Sequence, residues 1–446
     1  MFVLLDYKLY KTLYVGSNGG EALMFSDVDN DGENEILIRQ SAGTYSCRLH
    51  RDEGNREFGE EWIDDENFDL FQLTCMKMDG TILWQIGKPW QKQRPYNSHG
   101  SGTMTQCADI NGDGKKEIVY VYKDNLCIVD AHTGETLNSI KTGTDILDNV
   151  LLQKAGKSFY NIILKNGGKG PDGYGKLMEV YDNSLNFLWA TQEGNGHSTV
   201  MKDIDHDGID EIFEGYALFD HDGTILWSFD HPSHVDHINI EDINDDGREE
   251  IIYCTDNEDL LIVDMQGKII FKSDIFIHPQ KTSVGKFIEN MEGKQIFMNN
   301  HAAFGDSYML DCKGNVICEF PCNGYGHNFI HNGIHLIAFI PHPGRLPSEK
   351  INEYETKAKL LGYGKLPLRK DDYYSPFILN GRCEIVYSFP VLGNEIDVSV
   401  WGKPEWSKVD HGAGYNLLME DIDKDGRTEF IFYNREKILF FKDVSL

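Results

Sequence analysis

The chain is short of positive charge. Forty-two Lys and Arg face 72 Asp and Glu across 446 residues, a formal net charge of −30, and no Lys/Arg-rich run offsets it. Such a surface repels nucleic-acid backbones and anionic bilayers, so neither is expected as a partner. Long hydrophobic runs are also missing: nothing approaches the roughly 18 uninterrupted apolar residues of a spanning helix, which argues against a membrane protein. The N-terminal MFVLLDYKLYKTLYV has no basic start, only a short apolar run and no small-residue cleavage site. It does not read as a secretory leader, so a cytoplasmic location is expected, or a secreted one if a leader has been trimmed away. Nine cysteines, odd in number and without CxxC pairs, suit reduced, mostly buried thiols better than a disulfide framework. GxSxG, a phosphate loop and HExxH are absent, which removes the common hydrolase, nucleotide and metalloprotease signatures, and no Rossmann unit is read.

What is present is repetition. "DVDNDGENEI" at 27–36 returns as "DINGDGKKEI", "DIDHDGIDEI", "DINDDGREEI" and "DIDKDGRTEF", starting at Asp109, Asp203, Asp242 and Asp421. A second phrase trails it: "MDGTILW" at 78–84, "FDHDGTILW" at 219–227, "VDMQGKIIF" at 263–271 and looser copies between. An Asp/Asn-Gly turn between short alternating apolar runs is a hairpin signal. Each unit therefore reads strand, acidic turn, strand, strand, Gly turn, strand. Four short antiparallel strands at a period of 40–50 residues spell a β-propeller blade. Units start near residues 18, 97, 143, 195, 234, 280, 326 and 411, with degenerate copies at 150–164, 284–298 and 328–340. An all-β propeller of eight blades (seven if two units merge) is expected as one domain over 1–446. Its last unit has only three strands, and YKLYKTLYV resembles the missing outer one. Insertions are read at 40–68 and 342–374, both as surface loops.

The acidic phrase has the form Asp-x-(Asp/Asn)-x-Asp-Gly-x-x-Glu. Oxygens at positions 1, 3 and 5 around a tight Gly turn are how a loop wraps Ca2+, although the Glu at position 9 rules out an EF-hand. The expected ligands are Asp27, Asp29, Asp31 and Glu35; Asp109, Asn111, Asp113 and Glu117; Asp203, Asp205, Asp207 and Glu211; Asp242, Asn244, Asp246 and Glu250; and Asp421, Asp423, Asp425 and Glu429. The competing reading is that Asp, Asn and Gly simply make a good turn. Close carboxylates without a cation would repel one another, which favours metal. Its role is expected to be structural.

Histidines precede the acidic turns in several units, at His99, His197, His234 and His237, and His411, and His327 takes a similar place in its own unit; most stand near glycines. A propeller gathers the entry ends of its inner strands on one face, so these imidazoles are expected to meet in a funnel suited to general acid–base work. Abstracting the weakly acidic C5 proton of a uronate needs such a base and a cation beside the carboxylate. Arg94, Arg345, Arg382, Lys165 and Lys169 are the cations on offer. Tyr96, Tyr174 and Tyr415 are available to protonate a leaving oxygen or stack on a sugar.

With these turns, blade count and histidines, the chain resembles the β-propeller polysaccharide lyases, especially rhamnogalacturonan lyases with calcium-loaded eight-bladed propellers. The resemblance implies β-elimination on an acidic, rhamnose-containing oligo- or polysaccharide, with His or Tyr as base and acid. It makes His99, His197 and His237 with Tyr96 the catalytic candidates, and Arg94, His234, His327, Arg345, His411 and Tyr415 the substrate-binding ones. Two other functions stay open: a non-catalytic calcium-binding propeller that binds glycan or protein, and a glycoside hydrolase.

Overall fold

The structure, a computed structural model, describes residues 5–19, 22–41, 71–89, 105–256, 259–273, 275–276, 278–300, 306–320, 324–341, 376–389, 416–433 and 437–445. These form an eight-bladed β-propeller of four-stranded antiparallel sheets; the only described helix is a short turn at Gly16–Asn18. Seven blades follow chain order. Blade 1 is Ala22–Ser26, Glu35–Ser41, Phe71–Met76 and Ile82–Gly87; blade 2 Thr105–Ala108, Glu117–Tyr122, Asn125–Asp130 and Thr136–Lys141. Blade 3 is Asn149–Lys154, Tyr160–Lys165, Met178–Tyr181 and Phe187–Thr191; blade 4 Thr199–Lys202, Glu211–Glu214, Ala217–Phe219 and Ile225–Ser228. Blade 5 is Val235–Glu241, Glu250–Thr255, Leu260–Asp264 and Ile269–Ser273; blade 6 Pro279–Gly285, Gln295–Asn300, Ser307–Leu310 and Val316–Phe320. Blade 7 is Gly324–His331, Ile334–Pro341, Phe377–Leu379 and Ile385–Ser388. Blade 8 takes Asn416–Glu420, Glu429–Tyr433 and Lys437–Asp443 from the C-terminal end and completes itself with Tyr7–Tyr14. The expected eighth unit and its borrowed outer strand are thus both present. Eight blades, not seven, are formed. The 342–374 insertion, and 42–68 of the other, lie outside the described residues.

Burial explains the strand grammar. Second strands such as Glu250–Thr255 and Gln295–Asn300 are buried along their whole length, which suits the apolar stretches at 251–254 and 296–298 within them. Fourth strands such as Thr136–Lys141 are mostly exposed and polar. The recurring Gly turn has a packing reason as well as a conformational one. Gly134 (φ +73°) and Gly223 (φ +89°) lie against the faces of Trp84 and Trp189 of the preceding blade, where an added Cβ would come to 2.7 Å of the ring. The indole N–H groups donate to Ala131 O (3.0 Å) and His221 O (3.1 Å). Each "DGTILW"-type hairpin thereby docks on the next blade's turn, and only glycine suits both demands.

The chain divides into two compact units, Thr12–Val235 with Tyr433–Ile438, and Met1–Lys11 with Asp236–Phe432 and Leu439–Leu446. Within the first, Val119, Val121, Leu126, Ile128, Val150, Ile162 and Leu164 join blades 2 and 3 in one apolar core. In the second, Phe329, Phe389, Phe430, Phe432, Leu439, Phe441 and Tyr7 join blade 7 to the closing sheet. Burial of such side chains, at ~25 cal/mol per Å2 of apolar surface, is the main favourable term.

Candidate functional site

The five acidic turns share one construction. The position-1 carboxylate caps backbone N–H groups of the turn: Asp27 accepts from Asp31 N (3.1 Å) and Gly32 N (3.0 Å), and Asp421 accepts from Asp425 N (3.0 Å) and Gly426 N (2.8 Å). Position 4 is left-handed, at Asn30, His206, Asp245 and Lys424 with φ of 60–65° and at Gly112 with φ 77°. The fixed Glu folds back so that one oxygen accepts the position-2 N–H: Glu35 from Val28, Glu117 from Ile110, Glu211 from Ile204, Glu250 from Ile243 and Glu429 from Ile422. That bond alone explains part of the conserved spacing within the chain without any metal.

What remains is an unbalanced charge. Burial first, and then the neighbouring Asp carboxylates, push Glu35, Glu211, Glu250 and Glu429 above the usual range and Glu117 to about 7. In the Asp27 and Asp203 turns, ligand oxygens of Asp27, Asp29 and Glu35, and of Asp203, Asp205 and Glu211, lie within 4.8 Å of one another. Asp203 Oδ1 is buried there with no hydrogen-bond partner. An orphaned carboxylate oxygen among carboxylates is what a hard divalent cation would satisfy. These two turns fit Ca2+. In the Asn-bearing copies, Asn111 and Asn244 instead donate side-chain N–H to Glu117 (3.2 Å) and Glu250 (2.9 Å), which balances the Glu internally.

The imidazoles fall into two groups, one in each compact unit. In the first, glycines let backbones pass at contact distance. A Cβ on Gly175 would meet Gly196 O at 1.9 Å, and one on Gly196 would meet Val235 O at 2.4 Å. Segment 195–197 therefore pairs with 233–235: His197 N donates to Val235 O (2.7 Å), Val235 N to Asn195 O (2.9 Å), and Asn195 Nδ2 to Ser233 O (2.9 Å). The small hairpin of Lys169–Gly170 and Gly173–Tyr174 carries Tyr174 over the same place. Tyr174 stacks on His234 with centroids 4.2 Å apart and planes 14° apart, while His197 meets both rings edge-on at 5.1 and 4.9 Å. All three side chains are half-buried. His197 Nδ1 is 2.8 Å from Gly167 O. A carbonyl can only accept, so Nδ1 carries the proton and, in the neutral ring, Nε2 holds the lone pair. This is a base with its tautomer fixed by backbone.

Beneath it, Lys165 and Glu214 form a fully buried pair at 2.5 and 2.6 Å, and Thr199 Oγ1 also donates to Glu214. Lys165 was expected to be a cation on offer to substrate. Its ammonium is instead consumed by Glu214.

In the second unit, Asp236 accepts from His278 Nε2 (2.8 Å), and Lys281 Nζ donates to His327 Nδ1 (3.3 Å). His237 Nδ1 lies 3.4 Å from Thr282 Oγ1. Desolvation, and then the Lys281 charge, pull the His237 pKa down to about 3, while desolvation lowers Lys281 to about 8. His237 is therefore uncharged in the folded state across the physiological range and holds a proton only weakly. The sign of the linkage follows. Between about 3 and the ordinary 6.5 the unfolded chain binds a proton at His237 that the folded chain does not, so this residue erodes stability as pH falls through that window. The expected result for His237→Gln is a shallower fall of melting temperature between pH 6.5 and 3; an unchanged slope would refute the assignment.

His99, Tyr96, Arg94, Arg345, His411 and Tyr415 lie outside the described residues. Arg382 is exposed in a blade 7 turn. Sequence reasoning missed the pairing of Asp236 with His278 and the proximity of Lys281 to His327, because neither pair stands in a shared motif. The Tyr174 hairpin did leave a trace in the glycine-dense NGGKGPDGYG.

Fold and repeat define a class: eight-bladed propellers with acidic first turns. No protein-family model matches the chain. Over 255 residues it is 24% identical to the rhamnogalacturonan exolyase YesX of Bacillus subtilis (strain 168), a match covering 45% of this chain and 39% of that protein. The matched stretch thus spans about two-fifths of the relative's length. The crystal structure of exotype rhamnogalacturonan lyase YesX aligns over 96% of this chain and 72% of its own, with TM-score 0.63 and 16% identity. The rhamnogalacturonan lyase of Bacillus licheniformis aligns over the same shares with TM-score 0.58 and 16% identity. The resemblance read from the repeats is to the same group of proteins.

Proposed function

We propose that the chain is a carbon–oxygen lyase that cleaves a uronate- and rhamnose-containing glycan of the rhamnogalacturonan type by β-elimination. The observation that carries this reading is the Tyr174–His197–His234 cluster, with a backbone-fixed imidazole base beside an aromatic platform; the relatives named above supply the substrate class. In the proposed step, His197 Nε2 removes the C5 proton of the uronate. The C–H electron pair forms the C4–C5 double bond, and the glycosidic C4–O bond breaks. The departing oxygen takes a proton from Tyr174 or His234. The stacked Tyr174–His234 pair offers the sugar ring an aromatic face to pack on. Ca2+ in the Asp27 and Asp203 turns would neutralise clustered carboxylates and pin blades 1 and 4, a structural role.

The test is to incubate the protein with rhamnogalacturonan oligosaccharides, with and without chelator. Elimination leaves a conjugated unsaturated uronate that absorbs in the ultraviolet; growth of that absorbance is the expected result. New reducing ends without the chromophore would indicate a glycoside hydrolase, and binding without product a non-catalytic propeller. Either outcome overturns the proposal.

A further inference from the structure

The fifth acidic turn also brings carboxylate oxygens of Asp421, Asp423 and Asp425 within 4.8 Å of one another, but here a lysine already stands among the carboxylates. Lys442 Nζ lies 2.7 Å from Asp425 Oδ2 and 3.6 Å from Glu429 Oε1, and it also bonds Asp423 Oδ2. Glu429 is fully buried, and its Oε1 has no hydrogen-bond partner, so the nearby ammonium supplies charge where a bond is missing. Arg427 adds a second cation, donating to Asp425 Oδ2 through Nε (3.1 Å) and Nη2 (2.7 Å), and to Asp443 O through Nη1 (3.1 Å). These bonds hold the Asp425 carboxyl well below its usual range. The oxygens of positions 3, 5 and 9, which a Ca2+ would draw together, already converge on one ammonium.

The sequence marks this turn as a departure. In "NLCIVD" of blade 2 and "LLIVD" of blade 5, the residue before the closing Asp is Val129 or Val263, both fully buried. In "KILFFKD" of blade 8 it is Lys442. A valine exchanged for lysine at that place delivers a charge into the turn from the sheet's own third strand.

We propose that Lys442 is the resident cation of the blade 8 turn, standing where Ca2+ would sit, so that the sheet assembled from both ends of the chain holds together without metal. This rests on reading the Asp27 and Asp203 turns as Ca2+ loops. A tethered monovalent cation with three N–H donors is weaker than a divalent ion but cannot be chelated away.

The experiment compares wild type with Lys442→Met, which keeps the stem and removes the charge. Melting is followed in chelator and after adding Ca2+, and bound Ca2+ per chain is measured by elemental analysis. The expected result is that Lys442→Met melts several degrees below wild type in chelator, and that added Ca2+ recovers the loss while one more ion is bound per chain than in wild type. Should Lys442→Met fail to fold, Lys442→Arg is expected to keep wild-type melting in chelator. Equal melting of Lys442→Met and wild type in chelator, or a Ca2+ at Asp423 and Asp425 of wild type, overturns the proposal. Wild type without any bound Ca2+ would end the calcium reading of the other turns, and a chelator-sensitive loss in Lys442→Met would still uphold Lys442.

Discussion

Replacing His197 with alanine is expected to lower turnover of a rhamnogalacturonan oligosaccharide by about two to four orders of magnitude, the usual contribution of a positioned general base. Its melting temperature should barely move. The side chain is half-buried, and its Nδ1 bonds Gly167 O. The backbone pairing of His197 N with Val235 O does not depend on the ring. The measurement is initial rate by ultraviolet absorbance beside a thermal melt. Near-wild-type turnover would move the base elsewhere; a large melting shift would recast His197 as a structural residue. Tyr174→Phe tests the neighbouring group in the same assay, since it keeps the stacked ring and removes only the hydroxyl.

Lys165→Met should be among the most damaging substitutions for stability. It leaves Glu214 fully buried among apolar atoms with no cation, where burial already drives its carboxyl upward and only Lys165 and Thr199 oppose that shift. Breaking one side of a buried pair costs about 3–5 kcal/mol, whereas replacing both sides by apolar groups is often close to neutral. The double variant Lys165→Met with Glu214→Leu should therefore recover most of what the single variant loses, measured by urea denaturation. Equal loss in the two would show that packing, not charge, is what the pair provides. Lys165 precedes Gly167 and the hairpin that bears Tyr174, so the single variant should also lose activity beyond its fraction unfolded.

The propeller was legible because its signals are local. A Gly turn between two apolar runs needs only about ten residues to declare itself, and five near-identical phrases calibrated the degenerate copies at 150–164, 284–298 and 328–340. Tyr7–Tyr14 was found by the same logic, as an orphan strand matching a unit one strand short. The site was less legible because its chemistry depends on partners far apart in sequence. Lys165 looks like a surface lysine until Glu214, 49 positions on, is seen to neutralise it. Lys442 is one residue of an ordinary strand until Asp423 and Asp425 are placed around it. The histidine register pointed to His197 and His234, whose ring centroids lie 4.9 Å apart. It could not show that Gly167 fixes one tautomer or that dense packing strips His237 of its charge, since both are effects of surroundings rather than of motif.

The shared eighth sheet sets a schedule for biosynthesis. Asp6 N meets Asp443 Oδ1 across 437 positions. At ~5–20 residues per second, the strand at Tyr7–Tyr14 leaves the ribosome roughly 20–90 seconds before its partner exists. Until then its edge amides stay open to the wrong neighbour, a hazard met in part by the basic Lys8 and Lys11 along it. Ribosome-stalled chains that lack the segment from Lys437 onward should accordingly be the ones that chaperones retain.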